Sequence, residues 1–194
     1  MRRGFFVALV AVVGGAWALV LVASGEKIGS AFFRPFSIVV TTTYAAAVLF
    51  DRLIWRLPLV NRLAARPCLR GAWEGILVPR SARGKNRMAG RSIPIAVAIE
   101  QTFSTIAVRL RTRESGSVSL AAQLHREPDG SWMLATTYRN DPDLSVRKRS
   151  PIHYGATLLS LGGDPPDAMK GHYWTDRDTK GDIDLRRVST HRRG

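Results

Sequence analysis

No charged side chain occurs between Phe5 and Ala23, and none occurs between Phe36 and Phe50. A hydrocarbon core is crossed by about 20 apolar residues at about 1.5 Å each, so the first run is long enough by itself. The second is shorter. Leu53, Ile54 and Trp55 extend it, and the aliphatic stems of Arg34 and Arg52 can reach the headgroups. We therefore expect a two-helix transmembrane hairpin over residues 1–56, with helices at about 5–23 and 36–55. A juxtamembrane connector over 57–67, bounded by Pro58 and Pro67, would lead to one further domain over 68–194.

A secretory signal peptide is the competing reading of the first run. Arg2 and Arg3 precede it, and the small residues Ala23, Ser24 and Gly25 follow it. The run exceeds the usual apolar length of about 7–15 residues, and a second span follows. Basic residues set the orientation. Arg2 and Arg3 stand before the first run, and Arg52, Arg56, Arg62, Arg66 and Arg70 stand in or after the end of the second; the intervening turn has only Lys27 and Arg34 against Glu26. The positive-inside bias places the N-terminus and the following domain in the cytoplasm. Small residues recur at a spacing of four, as in Ala11 with Gly15 and Thr41 with Ala45. Such spacing lets membrane helices approach closely, within one hairpin or between copies.

Charge narrows the possible partners. The chain carries 29 Lys and Arg against 15 Asp and Glu, and 22 of the basic residues but 13 of the acidic ones lie from Arg66 onward. A positive domain implies an anionic partner: nucleic acid, nucleotide or an anionic lipid surface. Attraction to headgroups explains the residues just after the second run. It explains arginines spaced along strands less well. The single cysteine, Cys68, forms no intrachain disulfide, which suits a reducing cytoplasm.

Beyond Pro67 the pattern shortens to alternating runs. Strands are expected at 71–78, 93–101, 104–112, 117–126, from Trp132 through Tyr138, and at 152–161, 168–176 and 179–188. On the third, Ile106, Val108 and Leu110 oppose Ala107, Arg109 and Arg111. On the fourth, Val118, Leu120, Ala122 and Leu124 oppose Ser117, Ser119, Ala121 and Gln123. The basic stretch Pro79–Ser92, with Arg80, Arg83, Lys85, Arg87 and Arg91, reads as a loop. Eight short strands without a convincing helical period argue for a sandwich or a barrel. Closure into an up-and-down barrel removes the edges. The expected fold class is an all-β domain, an eight-stranded antiparallel lipocalin-like β-barrel preceded by the hairpin.

Catalysis finds little support. His125, His153, His172 and His191 form neither a two-His helical motif nor a zinc spacing with Cys68. Asp176, Asp178 and Gly181 fit an EF-hand loop, but Lys180 and Arg187 occupy positions that need oxygen ligands. Ser117 and Ser119 lack a nucleophile-elbow context, and no Walker-type loop is present. We expect no enzyme, no metal and no cofactor. Instead, Trp73, Tyr138, Tyr173 and Trp174 offer flat rings, and Arg109, Arg111, Arg139 and Arg177 offer phosphate-binding forks. Stacking of a base on an aromatic ring contributes about 1–3 kcal/mol, and a hydrogen bond to a charged group about 1.5–3 kcal/mol. A solvated outer face is the bland reading of any one of these arginines.

The most particular motif is Gly171-His172-Tyr173-Trp174-Thr175-Asp176-Arg177-Asp178-Thr179-Lys180-Gly181, which reads as a strand, a tight turn and a returning strand. With Tyr138-Arg139-Asn140-Asp141-Pro142, His153-Tyr154-Gly155 and the hairpin ahead of them, the chain resembles the two-transmembrane-helix β-barrel effectors of bacterial CBASS anti-phage defence. The resemblance covers essentially the whole chain. It implies a cytoplasmic barrel that binds a cyclic di- or oligonucleotide second messenger, here a cyclic dinucleotide, made by a partner nucleotidyltransferase. It also implies homo-oligomerisation on binding, disruption of the bacterial inner membrane, and no direct DNA or RNA partner.

The site itself is chosen on physical grounds. We expect it at one barrel mouth, with Arg177 and either Arg109 or Arg111 on phosphates, and Tyr173 or Tyr138 against a base. Tyr173, Thr175 and Arg177 share a strand face if alternation continues through the turn. Asn140 and Trp73 complete the candidate set. Two other readings compete: a lipid or other small-ligand carrier, whose interior would be wholly apolar, and a membrane-tethered enzyme.

Overall fold

The computed structural model describes residues 2–23, 33–80 and 91–188. The alternating segments form eight antiparallel strands: β1 (Gly71–Arg80), β2 (Ile93–Gln101), β3 (Ile106–Arg111), β4 (Ser115–Arg126), β5 (Trp132–Pro142), β6 (His153–Gly162), β7 (Ala168–Thr175) and β8 (Lys180–Arg187). Each pairs with the next, and β8 returns to β1, so the sheet closes as an up-and-down barrel. Closure satisfies every edge. Inward residues such as Ile95, Val97, Ile99, Leu134, Leu159, Met169, Ile183 and Leu185 form the core.

One strand departs from simple alternation, and it matters for the site. The pairing of β4 with β5 runs Ser119 to Tyr138 and then Ala121 to Thr137, so Leu120 is an extra residue, a β-bulge. Below the bulge, Ala122 and Leu124 face the core as expected. Above it the phase inverts. Val118 and Leu120 are 51% and 64% exposed, and Ser117 and Ser119 turn inward. A period-2 reading carried through residue 120 puts the upper half of β4 the wrong way round.

The chain entering β1 closes one end of the barrel. Leu69 and Trp73 are fully buried there. The Trp73 indole donates to the Leu69 carbonyl at 2.9 Å. The Arg187 guanidinium lies 4.8 Å from the Trp73 ring centroid and donates to the Cys68 carbonyl at 2.5 Å. Gln101 brackets the same segment, accepting from Leu69 N at 2.6 Å and donating to the Pro67 carbonyl at 3.0 Å. These bonds satisfy backbone groups that burial would otherwise leave costly.

A second compact unit comprises residues 1–64 with Thr102–Ser104. It holds α1 (Arg2–Ala23), α2 (Phe33–Arg52), a 3-10 turn (Ile54–Arg56) and α3 (Pro58–Ala64). The second helix thus ends at Arg52, short of residue 55, and the expected connector is largely helical. Pro58 opens α3, where its missing N–H would be unpaired anyway. Within this unit the Phe103 ring meets Phe50 and Trp55 edge-on, at centroid distances of 5.2 and 6.1 Å. Asp51 accepts from the Ser104 amide at 2.9 Å. Among the described residues one stretch, Ile38–Arg56 with a mean hydropathy of 1.4, is long and apolar enough to cross a membrane. Of the basic segment expected as a loop over 79–92, Pro79 and Arg80 belong to β1; residues 81–90 lie outside those described.

Candidate functional site

The barrel encloses a cavity of about 830 Å³. Small-ligand sites span about 300–1,000 Å³, so it is large enough for a drug-sized molecule. Its wall changes character from floor to mouth. Deep in the barrel it is made by Val97, Leu134, Leu159, Ile183 and Leu185; towards the opposite end Ser117, Ser119, Thr136, Asn140 and Thr157 take over. Arg91, Arg113 and Glu114 stand at the rim, with Ser150 and Thr179. Glu114 is engaged by Arg149 at 2.7 Å. Below the rim the described lining residues are polar or apolar and include no Asp, Glu, Lys or Arg.

Two tyrosines lean on glycines of neighbouring strands. Tyr138 opposes Gly155 across β5 and β6, and Tyr173 opposes Gly181 across β7 and β8. A Cβ at residue 155 would stand 2.5 Å from the Tyr138 hydroxyl, and one at residue 181 would stand 2.7 Å from Tyr173 Cε1. Missing side chains thus give the rings room along the wall. Burial above all, then Tyr173 and Asp176, pushes the Tyr138 phenol up to about 12. Burial, then Asp182, raises that of Tyr173 as well. At neutral pH both hydroxyls keep their protons and can donate.

Polar contacts order the rest of the wall. Ser117 Oγ donates to Asn140 Oδ1 at 2.7 Å. The Thr136 and Thr157 hydroxyls lie 2.5 Å apart. Ser119 Oγ accepts from the Val108 amide at 2.9 Å, beside the bulge. Among the described residues no three His, Cys, Asp or Glu side chains gather as a metal site would require.

Four of the expected residues, Tyr138, Asn140, Tyr173 and Thr175, come together on this wall. Arg177 sits in the exposed β7–β8 turn, where its Nη1 donates to Ser150 Oγ at 3.0 Å. The structure puts Arg109, Arg111, Trp73 and Trp174 elsewhere than on this wall. Arg109 and Arg111 lie exposed on the outer face of β3, because the apolar Ile106, Val108 and Leu110 take the inner one. Trp73 belongs to the buried floor under Leu69 and Arg187, away from the cavity lining. Trp174 is 46% exposed on the outside of the barrel.

Sequence reasoning passed over Thr136, Thr157, Ser117, Ser119, His153, Arg91 and Arg113. Thr136 was within reach, since it shares the phase of Tyr138 on β5. Ser117 and Ser119 were hidden by the bulge.

Residues 64–187 match the family model described as Cap15, cyclic dinucleotide receptor domain. The CD-NTase-associated protein 15 of Staphylococcus schleiferi is 29% identical over 152 residues, 78% of each chain. Its namesake from Yersinia aleksiciae is 26% identical over 141 residues, 72% of this chain and 64% of that protein. The one from Escherichia albertii is 22% identical over 154 residues, 78% of this chain and 76% of that protein. With well over half of its length matched, and the closed barrel inside that match, the chain belongs to the Cap15 cyclic dinucleotide receptor domain family.

Proposed function

We propose that this chain is a membrane-anchored receptor for a cyclic dinucleotide and a cell-death effector of CBASS anti-phage defence. One observation carries the reading: a barrel of a cyclic dinucleotide receptor family holds a one-ended cavity with an uncharged polar wall and arginines at its rim. A cyclic dinucleotide presents two phosphates and two flat bases. Guanidinium forks suit the phosphates, so we assign these to Arg91 and Arg113 at the rim and Arg177 in the nearby β7–β8 turn. Tyr138, Tyr173, Thr175 and Asn140 suit the bases. A lipid carrier would want an apolar wall throughout, and Ser117, Asn140 and Thr157 count against it. The relatives' name, CD-NTase-associated protein 15, supports a partner nucleotidyltransferase as the source of the messenger.

The hairpin over residues 1–56 anchors the barrel, residues 68–194, in the bacterial inner membrane, with two spans and with the N-terminus and barrel cytoplasmic. The apolar stretch Ile38–Arg56 supports the second span, and the flanking arginines support the orientation. Ligand binding draws barrels into a homo-oligomer, and the tethered helices reach a local concentration that disrupts the bilayer. No bond in the messenger needs to break, and no cofactor takes part.

Calorimetry on the full chain in detergent tests the receptor role. Cyclic dinucleotides of several base compositions are titrated, and at least one binds with saturable heat. Silence across the whole panel overturns the reading. A reporter fused after Gly194 is active on the cytoplasmic side only; periplasmic activity overturns the topology.

A further inference from the structure

Asn140 faces Ser117 across the β4–β5 ladder, and both side chains line the polar half of the cavity. Asn140 is 93% buried, being 7% exposed. A buried amide in that position must present one end or the other to whatever enters. The Ser117 hydroxyl donates to Asn140 Oδ1 at 2.7 Å, which takes one of the two lone pairs at the acceptor end. Among the described residues no protein group accepts from Asn140 Nδ2, and that nitrogen is absent from the fully buried unsatisfied atoms. Its two N–H groups therefore open onto the cavity.

Other groups nearby have the same polarity. The Tyr138 hydroxyl keeps its proton and can donate it. Thr136 and Thr157 bond to one another, which takes up part of their capacity to bond a ligand. Ser119 Oγ already accepts from Val108 N, which leaves its proton to give. Among the described residues, the one carboxylate that lines the cavity is Glu114, at the rim and paired with Arg149. At Asn140 the wall thus presents a donor to the cavity. A donor set against the exocyclic position of a base discriminates there, because a carbonyl pairs with it and an amino group leaves it unpaired.

We propose that Asn140, positioned by Ser117, reads a carbonyl on a ligand base, so that this receptor favours cyclic dinucleotides containing uracil or guanine over those built only from adenine. The proposal rests on the cyclic-dinucleotide reading above and adds the base class. Uracil and guanine present carbonyl oxygens where adenine presents an amino group. An asparagine reads adenine through its oxygen and nitrogen together, and here the Ser117 hydroxyl competes for the oxygen. Ser117 touches the ligand indirectly and acts as a positioning residue.

The test uses the full chain in detergent and three probes: cyclic di-AMP, cyclic di-GMP and cyclic di-UMP. Wild type binds one of the two carbonyl-bearing ligands at least tenfold more tightly than cyclic di-AMP. N140D keeps the acceptor that Ser117 addresses and turns the cavity-facing donor into an acceptor. Its added negative charge weakens all three ligands alike, so the ratio of affinities is the readout. That ratio shifts at least tenfold towards cyclic di-AMP. S117A, a mild change, frees the amide to rotate and brings the ratio towards one without abolishing binding. Preference of the wild type for cyclic di-AMP overturns the proposal, as does an unchanged ratio in both variants with melting temperatures near wild type. Binding of none of the three overturns this base assignment too, and silence of every cyclic dinucleotide is what overturns the receptor reading beneath it.

Discussion

The tip of the Tyr138 side chain occupies the space where Gly155 lacks one: a Cβ at residue 155 would stand 2.5 Å from the phenolic oxygen and 2.6 Å from the Trp174 carbonyl oxygen. The glycine thus lets an aromatic ring lie along the wall, where a side chain would push it inward. Gly155→Ala is expected to lower stability by about 1–3 kcal/mol, the usual cost of an extra methyl group in a packed site. It should also move Tyr138 towards the cavity and weaken ligand at least tenfold. Tyr138→Ala in the same chain should recover part of the loss in stability. Melting curves and calorimetry of the single and double variants check this; independent, additive losses would contradict it.

The β4 bulge supplies a second expectation. Leu120 is an outward residue with little to pack against, so Leu120→Ala should leave stability within about 0.5 kcal/mol and binding within about twofold. Deleting the residue is different. Residues 115–119 would turn over, sending Ser117 and Ser119 outward and Val118 inward. The deletion should abolish ligand binding even if the protein still gives a β-rich circular dichroism spectrum. Retained affinity would show that the upper half of β4 does not form the site.

The arginines separate rim from outer wall. Arg177→Lys keeps the charge but loses the planar fork, and binding of a cyclic dinucleotide should weaken at least tenfold with little change in melting temperature. Arg109→Ala and Arg111→Ala, on the outer face, should leave affinity within about twofold at moderate salt. A large effect at either outer residue, with none at Arg177, would move the phosphates elsewhere.

Tyr138 gives a pH signature. Its phenol is pushed up to about 12, chiefly by burial, against an ordinary value of 10.0. The folded state therefore holds this proton more tightly than the unfolded chain does. Stability from this source is intact below pH 10 and is lost as the pH rises through about 12. Tyr173 is shifted the same way and adds to the slope. Melting temperature measured from pH 9 upward should fall over this window, and Tyr138→Phe should flatten the fall. An ultraviolet titration in which all four tyrosines ionise near pH 10 would contradict the burial of both rings.

Much of the barrel was legible in the sequence because a closed sheet enforces period 2. Ile95, Val97 and Ile99 face inward as their alternation predicts, and the observed strand ends fall close to the expected ones. Tyr138, Asn140, Tyr173 and Thr175 were legible as polar residues in phase with apolar ones. Arg109 and Arg111 have the chemistry of phosphate ligands but the wrong phase, because Ile106, Val108 and Leu110 claim the interior of β3. Ser117 was invisible for a deeper reason. A bulge is fixed by how two strands pair, and nothing in the run Ser117 to Leu124 marks Leu120 as the extra residue. Trp73 looked like a stacking platform until the Leu69 carbonyl and the Arg187 guanidinium were seen to hold it in the floor.

That floor has a consequence for symmetry. Trp73 and Leu69 stop one end of the barrel, the mouth is at the other, and eight unlike strands surround the space between. Such a container has no twofold axis. A cyclic dinucleotide with identical halves does have one, so the proposed ligand must break its own symmetry on entry, each half meeting a different wall. Its two bases become distinguishable, and a ligand with two different bases acquires a preferred way round. A receptor that clasps its ligand on a dyad between two subunits offers both halves the same surroundings. A single barrel of this kind can tell the order of the halves within one polypeptide.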